Sequence, residues 1–203
     1  MPMFKSLAKA LEKRIEARAL KLALKGSTLP AELFDLTELR ELYLDAPELT
    51  TLPTLLPFSQ LTHLEMSAPT LDGDLAPLFA LKRLQVLKLH HTPLRTLPLG
   101  HSTAPLRFLT LKACGLKNLP PEFGELLQEL EELSLASNEL KELPGSFREL
   151  RKLKRLNLDA NRLEIFPTVL GEMKNLKHLS LDHNLFSQDE RERIQREYHL
   201  TPV

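Results

Sequence analysis

Apolar positions in this chain recur as L-x-x-L-x-L, and the pattern restarts at Leu39, Leu61, Leu84, Leu106, Leu130, Leu153 and Leu176. The intervals are 22, 23, 22, 24, 23 and 23 residues. The last two apolar positions of each unit are two apart, which turns both inward from a short strand and leaves the residue between them facing out. Seven restarts at near-constant spacing predict stacked coils whose strands pair in parallel along one side. The clearest example is LEELSLASNELKELPGSFRELRK, residues 130–152.

Three residues after the last apolar position the chain must leave the strand. Asn138, Asn161 and Asn184 stand there in the last three units, and a buried asparagine side chain can bond backbone groups that such a turn leaves unpaired. Pro47, Pro69, Thr92 and Cys114 stand there in the earlier units. Proline cannot donate, so those turns need another geometry. The return side of most units begins at Leu52–Pro53, Leu97–Pro98, Leu119–Pro120, Leu143–Pro144 or Phe166–Pro167, where a fixed φ suits the start of a short helical turn. Asp72–Gly73 suggests a differently shaped return after Leu71.

The two ends differ from the repeats. Phe4, Leu7, Ala8, Leu11 and Ile15 fall at helical spacing and predict one amphipathic helix over residues 3–19. Seven Lys/Arg against two Glu in residues 1–30 leave two readings, a basic helix on a membrane surface or a cap on the first repeat. The cap is preferred, because a terminal repeat always has an apolar edge to cover. Residues 20–38 read as a degenerate first repeat, with Leu20 and Leu22 alternating and Pro30 after Leu29. At the far end Ser187 and Glu190 form a capping-box pattern, and Ile194 and Tyr198 can pack back, so 187–199 reads as a closing helix. The expected organisation is a single domain over 1–203, with seven repeats over 39–186 and no space for an appended enzyme.

Residues 39–186 resemble the ~23-residue L-x-x-L-x-L-x-x-N-x-L-x-x-L-P class of leucine-rich repeats. The resemblance implies an α/β solenoid, a curved horseshoe with a parallel sheet on the concave face and short helical turns on the convex face. It also implies an asparagine ladder, a structural role for Cys114 (cysteine being a common substitute at that turn), and binding through the concave face without a cofactor. The class includes intracellular scaffold proteins, among them partners of small GTPases, and many bacterial proteins.

Composition narrows the setting. Twenty-seven Lys plus Arg balance 27 Asp plus Glu, so the chain lacks the basic field on which non-specific nucleic-acid binding relies. One cysteine excludes an internal disulfide, and no Asn-x-Ser/Thr acceptor occurs, which points to a reducing, cytoplasmic location. No apolar run approaches the ~20 residues a membrane span needs. Aromatic residues are 5% of the chain and tryptophan is absent, so the core must be aliphatic.

Nothing in the chain reads as catalytic: there is no nucleophile elbow, phosphate-cradling glycine loop or paired-cysteine metal motif. His90–His91 with His63 and Glu65 one repeat away could be weighed as zinc ligands, but histidines exposed at a binding surface are the preferred reading. The outward strand positions are the informative ones. By column they run Glu41, His63, Val86, Phe108, Glu132, Arg155, His178, then Tyr43, Glu65, Lys88, Thr110, Ser134, Asn157, Ser180, then Asp45, Ser67, His90, Lys112, Ala136, Asp159, Asp182. Val86 and Phe108 are apolar in a column where solvent favours polar residues, and charged residues flank them. The expected partner surface is therefore Tyr43, His63, Glu65, Val86, Lys88, His90, Phe108, Thr110 and Lys112.

Function follows as an expectation of protein binding, by a monomeric adaptor or scaffold whose partner is a small GTPase or an enzyme. The alternative is an inhibitor or immunity protein that covers an enzyme's active site. A ubiquitin-ligase effector would need a further catalytic domain with a nucleophilic cysteine.

Overall fold

The computed structural model describes residues 3–94, 97–101 and 104–200. Residues 1, 2 and 201–203, the ends of the expected domain, lie outside the described residues. The chain forms two compact units, Met1–Pro93 with Pro98–Leu106, and Leu94–Leu97 with Arg107–Val203.

In the first unit five strands pair in parallel in chain order: β1 (Met3–Phe4), β2 (Ala19–Ala23), β3 (Glu41–Asp45), β4 (His63–Ser67) and β5 (Val86–His90). Met3 lies opposite Ala19, Ala19 opposite Glu41, Glu41 opposite His63 and His63 opposite Val86, so successive coils are offset by 16, 22, 22 and 23 residues. Parallel neighbours need a crossover of a dozen residues or more, and each coil supplies one. Leu42, Leu44, Leu64, Met66, Leu87 and Leu89 turn inward and are buried, each worth roughly 1.5–3 kcal/mol of transfer free energy. A 3-10 turn at Ala31–Asp35 and helix α2 (Ala76–Phe79) lie on the return side, where Phe34 and Phe58 stack at 5.3 Å.

The amino-terminal expectation needs correction. Residues 3–19 are not one helix: Met3 and Phe4 join the sheet, helix α1 covers only Leu7–Glu12, and residues 13–17 form tight turns closed by Glu16 N–H and Ala17 N–H to Lys13 O. Ala10 and Ala17 are buried, whereas Ile15 is 79% exposed. The physical reason is the parallel pairing with Ala19 and Leu20, which satisfies the backbone of Met3 and Phe4 in extended form. The apolar edge is met by one more strand followed by a short helix.

In the second unit β6 (Phe108–Lys112), β7 (Glu132–Ser134), β8 (Arg155–Asn157) and β9 (His178–Ser180) are again parallel in chain order. Helix α3 (Phe123–Leu126), a 3-10 turn at Gly145–Glu149 and helix α4 (Val169–Glu172) make the return side. Gly124 is required there by close approach: a Cβ would stand 1.8 Å from Ser146 O. Helix α5 (Gln188–Tyr198) closes this unit, with Ile194 buried and the Tyr198 ring 4.1 Å from that of Phe166. Ser187 Oγ accepts the Glu190 N–H at 3.2 Å as the capping box requires. The Glu190 carboxylate goes elsewhere, accepting the Phe166 N–H at 2.7 Å and pairing with Arg193. The bond from Arg193, with that from Phe166, holds the carboxyl below its ordinary range.

The turns divide along the line drawn by proline. Asn138 Oδ1 accepts from Cys114 N–H (3.0 Å) and Leu116 N–H (3.1 Å), and its amide donates to Leu111 O and Leu135 O. Asn161 and Asn184 likewise bridge their own coil to the one before, each accepting one N–H, of Leu140 and Leu163, and donating to two leucine carbonyls. Thr92 substitutes in the first unit: its hydroxyl accepts the Ala68 N–H and donates to His90 O. Cys114 is buried, with Sγ 3.4 Å from Lys112 O. The residue before each of these turn positions is left-handed: His91, Ala113, Ser137, Ala160 and His183 have φ between 50° and 59°. Ala46 and Ala68, which precede Pro47 and Pro69, do not share it. A following proline pushes a residue towards extended backbone, so strand alternation runs one step further and both alanines are buried.

Candidate functional site

The outward residues of the first unit form rows fixed by strand register. Glu41, His63 and Val86 make one row, Tyr43, Glu65 and Lys88 the next, and Asp45, Ser67 and His90 the third. Parallel pairing of the strands fixes the spacing of the rows, and the inward leucines with Met66 anchor them on the core. Between rows, Tyr43 Oη donates to Glu41 Oε2 at 3.1 Å and its ring lies 5.0 Å from the His63 ring at 37°. Lys88 Nζ approaches Glu65 Oε2 at 3.8 Å. Burial raises the Tyr43 phenol above its ordinary range, helped by the bond to Glu41 and by the charges of Glu41 and Glu65. Burial also lowers His63, with Lys88 adding to the effect and Glu41 and Glu65 opposing it. The His63 Nε2 atom is enclosed and has no hydrogen-bond partner among the described residues, which disfavours the charged ring.

Of the expected surface, therefore, Tyr43, His63, Glu65 and Lys88 come together with Glu41, and Val86 and His90 lie half-buried on the adjoining strand β5. Glu41 belongs to the outward column but not to the expected surface; its position two residues before Tyr43, on the same strand face, is the signal that would have added it. Lys21, opposite Tyr43 on β2, is also missing from that surface, because the phase of residues 20–38 is weak in the sequence.

The remaining expected residues belong to the second unit. Phe108 and Thr110 are half-buried on β6, opposite Glu132 and Ser134, and Lys112 ends the strand exposed. The Arg107 guanidinium lies over the Phe108 ring, 5.6 Å from its centre, and forms a close ion pair with Glu131. Hydrogen bonds from Lys154 and Arg107 draw the Glu131 carboxyl below its ordinary range. Further along, Ser180 Oγ donates to Asp159 Oδ1 at 2.6 Å, and the Asp182 N–H also bonds that oxygen.

Chemically these rows can present aromatic, cationic and carboxylate groups to another surface. Among the described residues no group of three or more His, Cys, Asp or Glu is placed to hold a metal ion, and no helix is long and apolar enough to cross a membrane. Residues 74–201 match the family described as a leucine-rich repeat region. This chain belongs to the leucine-rich repeat family. The solved leucine-rich repeat protein LIC12759 of Leptospira interrogans is similar at 25% identity with a TM-score of 0.50, over 97% of this chain and 68% of that one. The plant peptide hormone receptor RGFR1, solved in complex with RGF2, is similar at 20% identity with a TM-score of 0.60. That match covers 91% of this chain and 35% of the receptor chain, and it shows the fold alone. A search among curated proteins gives no match. Leucine-rich repeat folds typically mediate protein–protein interaction and are generally non-catalytic binding modules.

Proposed function

We propose that this leucine-rich repeat chain is a non-catalytic adaptor or scaffold, one interaction domain over 1–203, that holds a protein partner on its outward sheet face. The observation that carries the reading is the cluster of Tyr43, His63, Glu65 and Lys88, an aromatic pair with a charged rim on a rigid strand platform. Aromatic side chains of this kind contribute much of the energy of protein interfaces. Val86 and His90 extend the proposed surface on the first unit, and Phe108, Thr110 and Lys112 are proposed partner contacts on the second. The single, buried cysteine supports a reducing, cytoplasmic setting, and the proposed module acts as a monomer.

The test is affinity capture from the native cell, followed by titration of the identified partner against variants. Tyr43→Ala, Lys88→Glu and Phe108→Asp weaken binding by about tenfold or more, with circular dichroism unchanged. Leu56→Ser, on an exposed loop residue off the strands, leaves binding intact. Equal affinity in all four folded variants sinks the face assignment.

A further inference from the structure

The second unit carries a charge feature that the sheet face does not use. Two consecutive coils approach their strands through Arg151-Lys152-Leu153-Lys154 and Lys174-Asn175-Leu176-Lys177. The two segments stack directly: Lys177 N–H and His178 N–H both donate to Lys154 O, and the Asn175 amide donates to Arg151 O at 2.7 Å. Arg151, Lys152, Lys154, Lys174, Asn175 and Lys177, with Glu131, line a concavity of about 310 Å³.

The coil before them is acidic at the same positions and neutralises only its immediate neighbour. Glu129 takes Lys152 with both carboxylate oxygens at 2.7 Å, and Glu131 takes Lys154 at 2.8 Å while also holding Arg107. Arg151 pairs with Glu149. Among the described residues no such pairing is found for Lys174 and Lys177, which face a coil of their own sign. The ladder of opposite charges stops there, and the concavity opens where it stops.

We infer that this strand-start edge is a binding site for a compact anion carrying clustered phosphates, with Lys174 and Lys177 as its principal ligands and Lys154 and Arg151 flanking. Lysine serves phosphate as a mobile point charge, and several converging ammonium groups favour a multiply charged ligand over a single carboxylate. At ~30 Å³ per water the concavity holds about ten waters, which is room for a chain of two or three phosphates. The site lies at the ends of the strands rather than on their outward face, so its test is independent of the proposed protein partner.

The experiment is isothermal titration of the full chain with sodium tripolyphosphate at low ionic strength. The expected result is one-to-one binding that weakens about tenfold or more in Lys174→Glu/Lys177→Glu and falls with added salt. The control pair Lys117→Glu/Lys141→Glu changes the net charge equally at exposed residues outside the concavity, and stays within about twofold of wild type. Lys177→Arg retains binding. Vesicles carrying phosphatidylinositol bisphosphate distinguish a lipid headgroup from a free polyphosphate, and variant-sensitive binding in either arm supports the site. No binding in either arm, or an equal loss in the control pair, overturns the proposal. Circular dichroism confirms that the variants, all at exposed or half-buried surface positions, remain folded.

Discussion

Replacing Asn138 with leucine tests whether the turn asparagines act through hydrogen bonds or through volume. The side chain is buried and bonds four backbone groups closely: it accepts from Cys114 N–H and Leu116 N–H and donates to Leu111 O and Leu135 O. Leucine has a similar size and more apolar surface, so a purely steric role would leave stability unchanged or raised. The hydrogen-bond account gives another result. Leu135 O keeps a second partner, the Asn161 amide at 2.9 Å, so its loss is partial. Cys114 N–H and Leu116 N–H lose their side-chain acceptor, at about 1–3 kcal/mol for each such bond lost from a buried amide. The expected cost is therefore roughly 3–5 kcal/mol, a large share of the ~5–15 kcal/mol of a typical domain. Asn161→Leu orphans one amide, Leu140 N–H, because Leu135 O and Leu158 O are each shared with a neighbouring asparagine. It should cost less, about 2–3 kcal/mol. Urea unfolding followed by circular dichroism gives the ranking. Stacked repeats can lose cooperativity, so hydrogen exchange at Cys114 and Leu116 supplies a local readout. An Asn138→Leu loss under about 1 kcal/mol, or unchanged protection of those two amides, refutes the reasoning.

Two further outcomes follow from single contacts. Gly124→Ala drives a Cβ into Ser146 O and should destabilise by about 3 kcal/mol or more, whereas Gly145→Ala, with nothing within 4 Å of its Cβ, should be near neutral by urea unfolding. For His63, burial and Lys88 place the folded pKa below the ordinary 6.5; its contribution to stability is then present above pH 6.5 and lost as pH falls through the folded pKa. An NMR titration placing the His63 ring at or above 6.5, or acid sensitivity unchanged in His63→Gln, contradicts that assignment.

The rows of the sheet are legible from leucine alone. Leucine at two-residue spacing fixes which residues point inward, and the repeat interval fixes which residues oppose one another. Glu41, His63 and Val86 therefore fall into one column by counting, and so do Phe108, Glu132, Arg155 and His178; the strand register agrees with both. The amino terminus misleads because Phe4 and Leu7 fit a helix as well as a strand followed by a helix. Only pairing with Ala19 and Leu20, distant in sequence, decides between them. The left-handed residues give no signal either. They are His, Ala, Ser, Ala and His rather than glycine, tolerated because the next side chain ties the turn to the preceding coil in at least Thr92, Asn138, Asn161 and Asn184. Such strain costs of order 1–3 kcal/mol per residue, so the asparagines both require the turn and offset its cost.

The site is half legible for a similar reason. Columns follow from periodicity, but contacts between columns depend on side-chain rotamers. The Tyr43 ring against His63, its bond to Glu41 and the enclosed His63 Nε2 have no sequence signature. Glu190 shows the same limit. Its spacing from Ser187 announces a capping box, yet its carboxylate serves Phe166 N–H, because α5 settles against the preceding coil.

Charge, finally, does not set the register of this chain. Glu129–Lys152, Glu131–Lys154, Glu132–Arg155 and Glu139–Arg162 each join the coil of Leu130 to the coil of Leu153. Exposed pairs of this kind are worth about 0–1 kcal/mol each, far less than the buried leucines beside them. The pairs still carry information about order. Acidic positions on one coil match basic positions on the next, and the following coil should return to acid if mutual neutralisation were the governing demand. Instead Lys177 follows Lys154 across a direct backbone hydrogen bond. Like charges at adjacent positions oppose stability slightly, and neither the leucine core nor the asparagine ladder requires them. A cost borne without structural return, beside a concavity able to hold an anion, is the physical case for assigning those lysines to a ligand.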